Sequence, residues 1–294
     1  MEDPLGVRQG CAWVTGRARQ VRLGPLDLAL RSIADVPVPA WDRRHHYGGP
    51  PERTLRYLLV LDTINFSFWT APGWAHQRRG YRETALALRR VFEQGDELAT
   101  PQALREVTGD RLADLLGGPL PMLEERAAAL RELGAHGFDG LVQETAAGTA
   151  QTLAASLAGY HDVATYEGRA IPILKRAQIA AADLWGAGVR AFPDLRSLTC
   201  FADYKLPQIL RHWGALVLAP ELAARVDARS PLLPGEPAEV EIRAATVTCV
   251  ERLREELAAG GRDLPAVQVD WILWEGAQDL PEMLAHPRTR TVFY

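Results

Sequence analysis

The segment from Arg53 to Trp69 constrains the fold more than any other part of the chain. Its sequence, RTLRYLLVLDTINFSFW, is apolar almost all the way round a helix, so it does not have the polar face of a surface helix. We therefore predict a central buried helix, with a β-strand as the alternative. Asp62 and Asn65 are three residues apart and would share one face of that helix. Buried polar groups need partners, so we expect these side chains to cap or brace neighbouring helices.

Helical periodicity dominates the remainder of the chain. Residues 4–35 indicate two helices around a polar break at residues 16–24, and residues 80–160 indicate several amphipathic helices, with a solvated one from Glu124 to Leu133. Later helices are predicted over residues 173–185, 209–216, 219–227 and 239–259. The Pro/Gly segments are short and scattered, which favours one domain. We predict a mainly α protein with a single globular helical domain, residues 1–294.

Composition excludes several classes of protein. The net charge of −4 argues against a duplex-binding surface, which needs many Lys and Arg side chains on phosphates. The three cysteines are far apart and form neither a disulfide framework nor a C-x-x-C metal site. The first residues are acidic, and no apolar run approaches the ~20 residues needed to cross a membrane. We expect a cytoplasmic protein without a membrane segment.

A short stretch, Ser197 to Gln208, combines a carboxylate, two aromatic rings and a cation. In an extended segment, Phe201 and Asp203 would point to the same side. An aromatic face beside a carboxylate can hold a flat base and accept hydrogen bonds from its N–H edge. The alternative is a helix start, with Asp203 near the cap and the aromatic side chains in the core.

Two further acids lie in the apolar segment Val267–Glu275. Asp270 is costly there unless it is paired or functional. Asp270 and Trp274 would share a helix face, whereas Glu275 lies about 140° from Asp270 on an ideal helix. The two carboxylates therefore meet only if the helix ends or distorts near Gly276, or they line different walls of one pocket.

Lysine is rare in this chain. Of 33 basic residues, only Lys175 and Lys205 are lysines. Where a chain rich in arginine keeps a lysine, a compact point charge is one explanation, and chance is the other. Lys175 is predicted either to contact a phosphate or to lie on the surface.

Two adjacent histidines, His45 and His46, lie in a predicted loop over residues 37–51. Their spacing is too short for two metal ligands on one helix face, and neither a Glu nor a Cys is adjacent. We therefore expect no metal site here, and one of the histidines is expected to line a pocket.

Four of these segments together resemble the queuosine salvage protein family. SLTCFADYKLPQ resembles F-A-D-Y-[RK]-[VL]-P-Q, and LDTINFSFW resembles L-D-[AT]-[LI]-N-F-[CS]-F-W. ILKRAQIAAADLW resembles F-[YL]-K-R-A-Q-[IL]-x-x-A-D-x-W, and DWILWE resembles D-x-x-L-W-[DN]. The resemblance spans most of the chain, with the motifs in the family's order. EVEIR, which contains Glu241 and Arg243, also matches the family but suggests no chemical role.

The resemblance implies a hydrolase that releases queuine from queuosine 5'-phosphate, without a metal or cofactor. It also implies a helical fold related to base-excision DNA glycosylases. Glu275 matches the family's catalytic carboxylate, although the family has Asp or Asn at this position. The implied site residues also include Asp203 and Asp270 on the base, Phe201 and Trp274 as stacking walls, His46, and Lys205 or Lys175 on the phosphate.

Two alternatives stay open at this point. One is a DNA or RNA glycosylase that acts on a flipped base, although the acidic charge balance opposes it. The other is a binding protein that carries queuine or modified tRNA without hydrolysis. We expect a small-molecule substrate, with no direct contact to nucleic acid and none to a membrane.

Overall fold

Helices make up most of the molecule, as predicted. The computed structural model describes residues 2–69, 80–280 and 283–294. The helices in these ranges are α1 (Val7–Thr15), α2 (Asp27–Ile33), α3 (Pro51–Thr63), α4 (Tyr81–Gln94), α5 (Pro101–Glu106), α6 (Gly109–Leu116), α7 (Leu123–His136), α8 (Ala146–Ser156), α9 (Lys175–Gly186), α10 (Lys205–His212), α11 (Pro220–Asp227), α12 (Pro237–Ala259) and α13 (Ala266–Asp279). Among the described helices, none is long and apolar enough to cross a membrane.

The predicted central helix is buried but shorter than expected. Helix α3 ends at Thr63, and residues 64–69 continue as irregular chain. Arg126 explains the difference, because its guanidinium donates hydrogen bonds to the backbone oxygens of Ile64, Phe66 and Ser67. The prediction of a solvated helix from Glu124 to Leu133 is wrong at Arg126, which is fully buried. Burial lowers the pKa of Arg126 to about 9.

Four short strands, which the helical patterns do not predict, complete the described fold: β1 (Val21–Leu23), β2 (Val163–Tyr166), β3 (Arg169–Pro172) and β4 (Leu216–Leu218). β1 pairs with β4 and β2 pairs with β3, both antiparallel. The β2–β3 hairpin turns between Tyr166 and Arg169. Its two central residues, Glu167 and Gly168, both have positive φ, as a type I′ turn requires.

Helix α12 runs through the core and carries buried charges. Glu241 accepts hydrogen bonds from the backbone N–H groups of Arg19 and Gln20 and from the Tyr166 hydroxyl. This carboxylate therefore ties α12 to the chain before β1 and to the end of β2. Glu241, to which the sequence assigned no chemical role, is thus a structural residue.

Candidate active site

One cavity, about 340 Å³ in volume, brings together every residue that the sequence analysis proposed for the site. It lies between the segment after α3, helix α9, the start of α10 and helix α13. The proposed residues on its lining are His46, Lys175, Phe201, Asp203, Lys205, Asp270, Trp274 and Glu275. The expected shared cleft is therefore present, while the chemical role of each side chain stays a prediction.

Asp203 lines the cavity and also holds the start of a helix. Its Oδ1 accepts hydrogen bonds from the backbone N–H groups of Lys205, at 2.6 Å, and Leu206, at 3.1 Å. The helix-start interpretation of the Ser197–Gln208 stretch is therefore confirmed, and the binding of a base by this stretch stays a prediction. Burial raises the pKa of Asp203, while Lys175 and the two N–H groups favour its charged form. Phe201 is buried beside it and supplies an apolar wall.

Asp270 is 3% exposed, and its Oδ1 accepts a hydrogen bond from the Phe201 N–H at 2.8 Å. Burial raises its pKa well above the ordinary value. Helix α13 continues without interruption through Asp270 and Glu275. Since both residues line the cavity, the second alternative is the correct one: they lie on different walls.

Glu275 differs from these acids because it is half-exposed and ion-paired. Its Oε2 lies 2.5 Å from Nη2 of Arg82 in α4, and both side chains are about one-third exposed. The Arg82 guanidinium also lies over the Trp274 ring, 5.3 Å from its centroid. Glu275 therefore lies beside a cation and stays in contact with solvent. Sequence reasoning missed Arg82 because it lies on a charged helix face far from the motifs.

The two lysines occupy different depths. Lys175, at the start of α9, is 4% exposed, so the alternative of a surface lysine is wrong. Burial lowers its pKa, and the negative charges of Asp203, Asp62 and Asp270 oppose that shift. Lys205 is only partly buried, and its Nζ lies 3.3 Å from Oε1 of Gln208.

His46, rather than His45, faces the cavity. Its Nδ1 lies 2.8 Å from the Asp42 backbone oxygen, and its Nε2 lies 2.9 Å from the Tyr81 hydroxyl. Burial lowers the pKa of His46, which favours the neutral ring. Because a carbonyl oxygen only accepts, we assign the ring proton to Nδ1. His45 contacts the Asp42 carboxylate instead, at 2.7 Å.

Several cavity residues had not been proposed from the sequence. The most informative is Asp183 in α9, because a carboxylate in an Ala-rich buried helix is itself a signal that could have been used. The unproposed residues with polar or aromatic side chains include Trp41, Asn65, Tyr81, Asp183, Tyr204 and His286.

A buried ion pair behind the cavity positions two of its walls. Arg243 of α12 donates to both oxygens of Asp162, at 2.9 and 2.5 Å, and to the Ala202 backbone oxygen at 3.0 Å. Asp162 also accepts the backbone N–H of Lys175 at 3.0 Å. The pair therefore holds the Phe201–Asp203 segment and the start of α9 in fixed relation. This gives Arg243 the role that the sequence could not assign.

Comparison with known proteins agrees with the motifs. The family model for the queuosine salvage protein matches residues 45–294. A queuosine 5'-phosphate N-glycosylase/hydrolase of Sphaerobacter thermophilus is 42% identical over 281 residues, which cover 88% of this chain and 87% of that protein. Enzymes of the same name from Dictyostelium discoideum and Mus musculus are 32% and 31% identical, over 98% and 100% of both chains. The chain belongs to the queuosine salvage protein family.

Proposed function

We propose that this protein hydrolyses the N-glycosidic bond of queuosine 5'-phosphate and releases queuine and ribose 5-phosphate. Relatives that align with nearly the whole chain are named for that activity. The observation that carries the proposal is the cavity, where a half-exposed ion-paired glutamate faces a set of buried acids and aromatic rings. These are the groups that a sugar cation and a flat leaving base require.

The reaction breaks the bond between the ribose C1′ and the ring nitrogen, and the bonding electrons leave with the base. Positive charge then builds on the sugar, as in other glycoside hydrolyses. We assign this step to Glu275, because its partial exposure beside Arg82 lets water approach the carboxyl group. It stabilises the sugar cation and directs the attacking water.

The base binds deeper in the cavity. Phe201 and Trp274 provide its apolar walls, and Asp203 and Asp270 accept hydrogen bonds from its N–H edge. Both carboxyl groups are fixed by backbone N–H groups, so their orientation is set before the ligand arrives. His46, neutral and anchored at both ring nitrogens, contacts the base or its cyclopentenediol.

The phosphate is assigned to Lys205, which is partly exposed at the edge of the cavity. Lys175 is surrounded by Asp62, Asp203 and Asp270, which would repel a phosphate, so its charge balances the acids. We further propose that the protein acts as one domain, in the cytoplasm, on the free nucleotide. The continuous core cluster supports the single domain, and the acidic charge balance supports action on the free nucleotide.

The direct test is to incubate the purified protein with queuosine 5'-phosphate and to detect free queuine by mass spectrometry. Release from the nucleotide is the expected result. Release only from duplex DNA or RNA would favour the base-glycosylase alternative, and tight queuine binding without turnover would favour a carrier protein.

A further inference from the structure

Three acids on the cavity lining differ in their hydrogen-bond partners. We call Asp183, Asp203 and Asp270 the acidic wall. Asp203 accepts two backbone N–H groups and Asp270 accepts one, and such bonds stabilise a charged carboxylate. Asp183 is 5% exposed, and its Oδ2 has no hydrogen-bond partner among the described residues. A charged carboxylate at that position would therefore be poorly solvated.

The hydroxyl of Tyr81 does not relieve this deficit. Its oxygen lies 2.9 Å from Nε2 of His46, whose other nitrogen donates to the Asp42 carbonyl oxygen. In the neutral ring, Nε2 is then an acceptor, so the Tyr81 proton points toward His46. Tyr81 therefore offers Asp183 an oxygen and no proton.

The neighbouring carboxyl groups act in the same direction, and Lys175 opposes them. Asp62 of α3 is fully buried behind the acidic wall, Asp270 faces Asp183 from α13, and Lys175 lies on its own helix. Lys175 faces all three carboxyl groups, and Arg176 also faces Asp62. Acids that interact this closely do not all ionise at the same time. Burial, with the charge of Asp62 added, raises the pKa of Asp183 well above its ordinary value.

We propose that Asp183 is a neutral carboxylic acid that donates a hydrogen bond to the carbonyl oxygen of the departing base. This rests on the proposed function. A 7-deazapurine has carbon at position 7, so protonation there, which helps ordinary purines to leave, is not available. The bonding electrons move into the ring and reach the carbonyl oxygen, where a fixed donor is most effective. Water adds its hydroxide to C1′, and its proton replaces the sugar on the ring nitrogen.

The test uses substitutions that separate donation from acceptance. Asn keeps an N–H donor of similar shape, so Asp183→Asn should retain kcat within about tenfold, whereas Asp183→Ala should lose about 10²-fold or more. Asp203 is the matched control: it acts as an acceptor, so Asp203→Asn should be as damaging as Asp203→Ala. Equal losses in Asp183→Asn and Asp183→Ala, with folding intact by thermal melting, would overturn the proposal.

A second measurement needs no turnover. At neutral pH, the infrared difference spectrum between wild type and Asp183→Asn should show the C=O band of a protonated carboxyl group, present in wild type only. A difference spectrum with carboxylate bands alone would refute a neutral Asp183. If wild type releases no queuine but the protonated band is present, the proposed function fails while the protonation state of Asp183 stands.

Discussion

Two groups of cavity residues, one buried and one partly exposed, use the same functional group in opposite environments. On the acidic wall, Asp270 is 3% exposed and is held by a backbone N–H. Glu275, by contrast, has a 36% exposed side chain and is paired with Arg82. We call the partly exposed residues Lys205, Glu275 and His286, with Arg82 as the partner of Glu275, the rim. Burial favours the neutral form of a carboxyl group, and a neighbouring cation favours its charged form.

This difference in burial indicates that the two groups of residues have different functions. Groups that are buried and hydrogen-bonded before the ligand arrives can define the shape and polarity of the base site. A charged group that remains in contact with water can act on the sugar and on the attacking water. Each prediction below compares one group of residues with the other, in order of decreasing effect.

The largest effect is expected on the rim. Glu275→Gln removes the carboxyl group that we assign to the sugar cation and should lower kcat about 10³-fold, on the order of 4 kcal/mol. Stability and queuine affinity should change little, because the side chain is half-exposed. Single-turnover assays measure the rate, and thermal melts measure the stability. Glu93→Gln, which breaks the comparable Arg89–Glu93 pair of 2.7 Å, is the control. A strong loss of queuine affinity in Glu275→Gln would contradict this assignment.

The Arg243–Asp162 pair behind the acidic wall should show the opposite pattern, in which stability is lost. Asp162→Ala removes the two hydrogen bonds that the buried Arg243 makes to this carboxylate and leaves Glu239, at 3.5 Å, as its ion-pair partner. The loss should cost about 3 kcal/mol of unfolding free energy, measured by urea titration. Asp263→Ala breaks the exposed Arg196–Asp263 pair of 2.9 Å and should cost less than about 1 kcal/mol. Similar losses in the two variants would show that the buried pair does not support the site.

The lysines offer a direct comparison of the two groups. Lys205→Met removes the proposed phosphate contact and should lower kcat/KM for the nucleotide about 10–100-fold, with little change for the nucleoside. Lys175→Met should lower both by a similar factor, because it disturbs the acidic wall. Steady-state kinetics with both substrates provide the measurement. If Lys205→Met leaves the preference unchanged, the phosphate contact lies elsewhere.

The smallest effect concerns acid stability. Burial lowers the pKa of His286 to about 4 from its ordinary 6.5, so between these values the unfolded chain binds more protons than the folded protein. The contribution of the buried, neutral His286 to stability is present above pH 6.5 and is lost as the pH falls toward 4. His286→Phe keeps a ring against Tyr204, 4.9 Å away, and should flatten this dependence. Urea titrations at several pH values test this expectation, which an unchanged slope would contradict.

The sequence predicted the helical class and the main site residues because motifs and periodicity are local signals. It did not predict where α3 ends, since the carbonyl groups after Thr63 are bound by Arg126, which lies far away in the chain. The short strands were missed because three- or four-residue segments carry too little alternation. Arg82 escaped notice for a similar reason: its charge resembles that of any solvated helix face until α13 lies beside it.

Arg126 has a consequence beyond the fold. The backbone it binds leads through Asn65, Phe66 and Ser67, which form part of the cavity surface, although Arg126 itself is not among the lining residues. The conformation of this part of the cavity surface is thus set by a residue that does not line the cavity. Substituting every lining side chain to accept another heterocycle would therefore leave this backbone unchanged. Changing its conformation would require substitutions in α7.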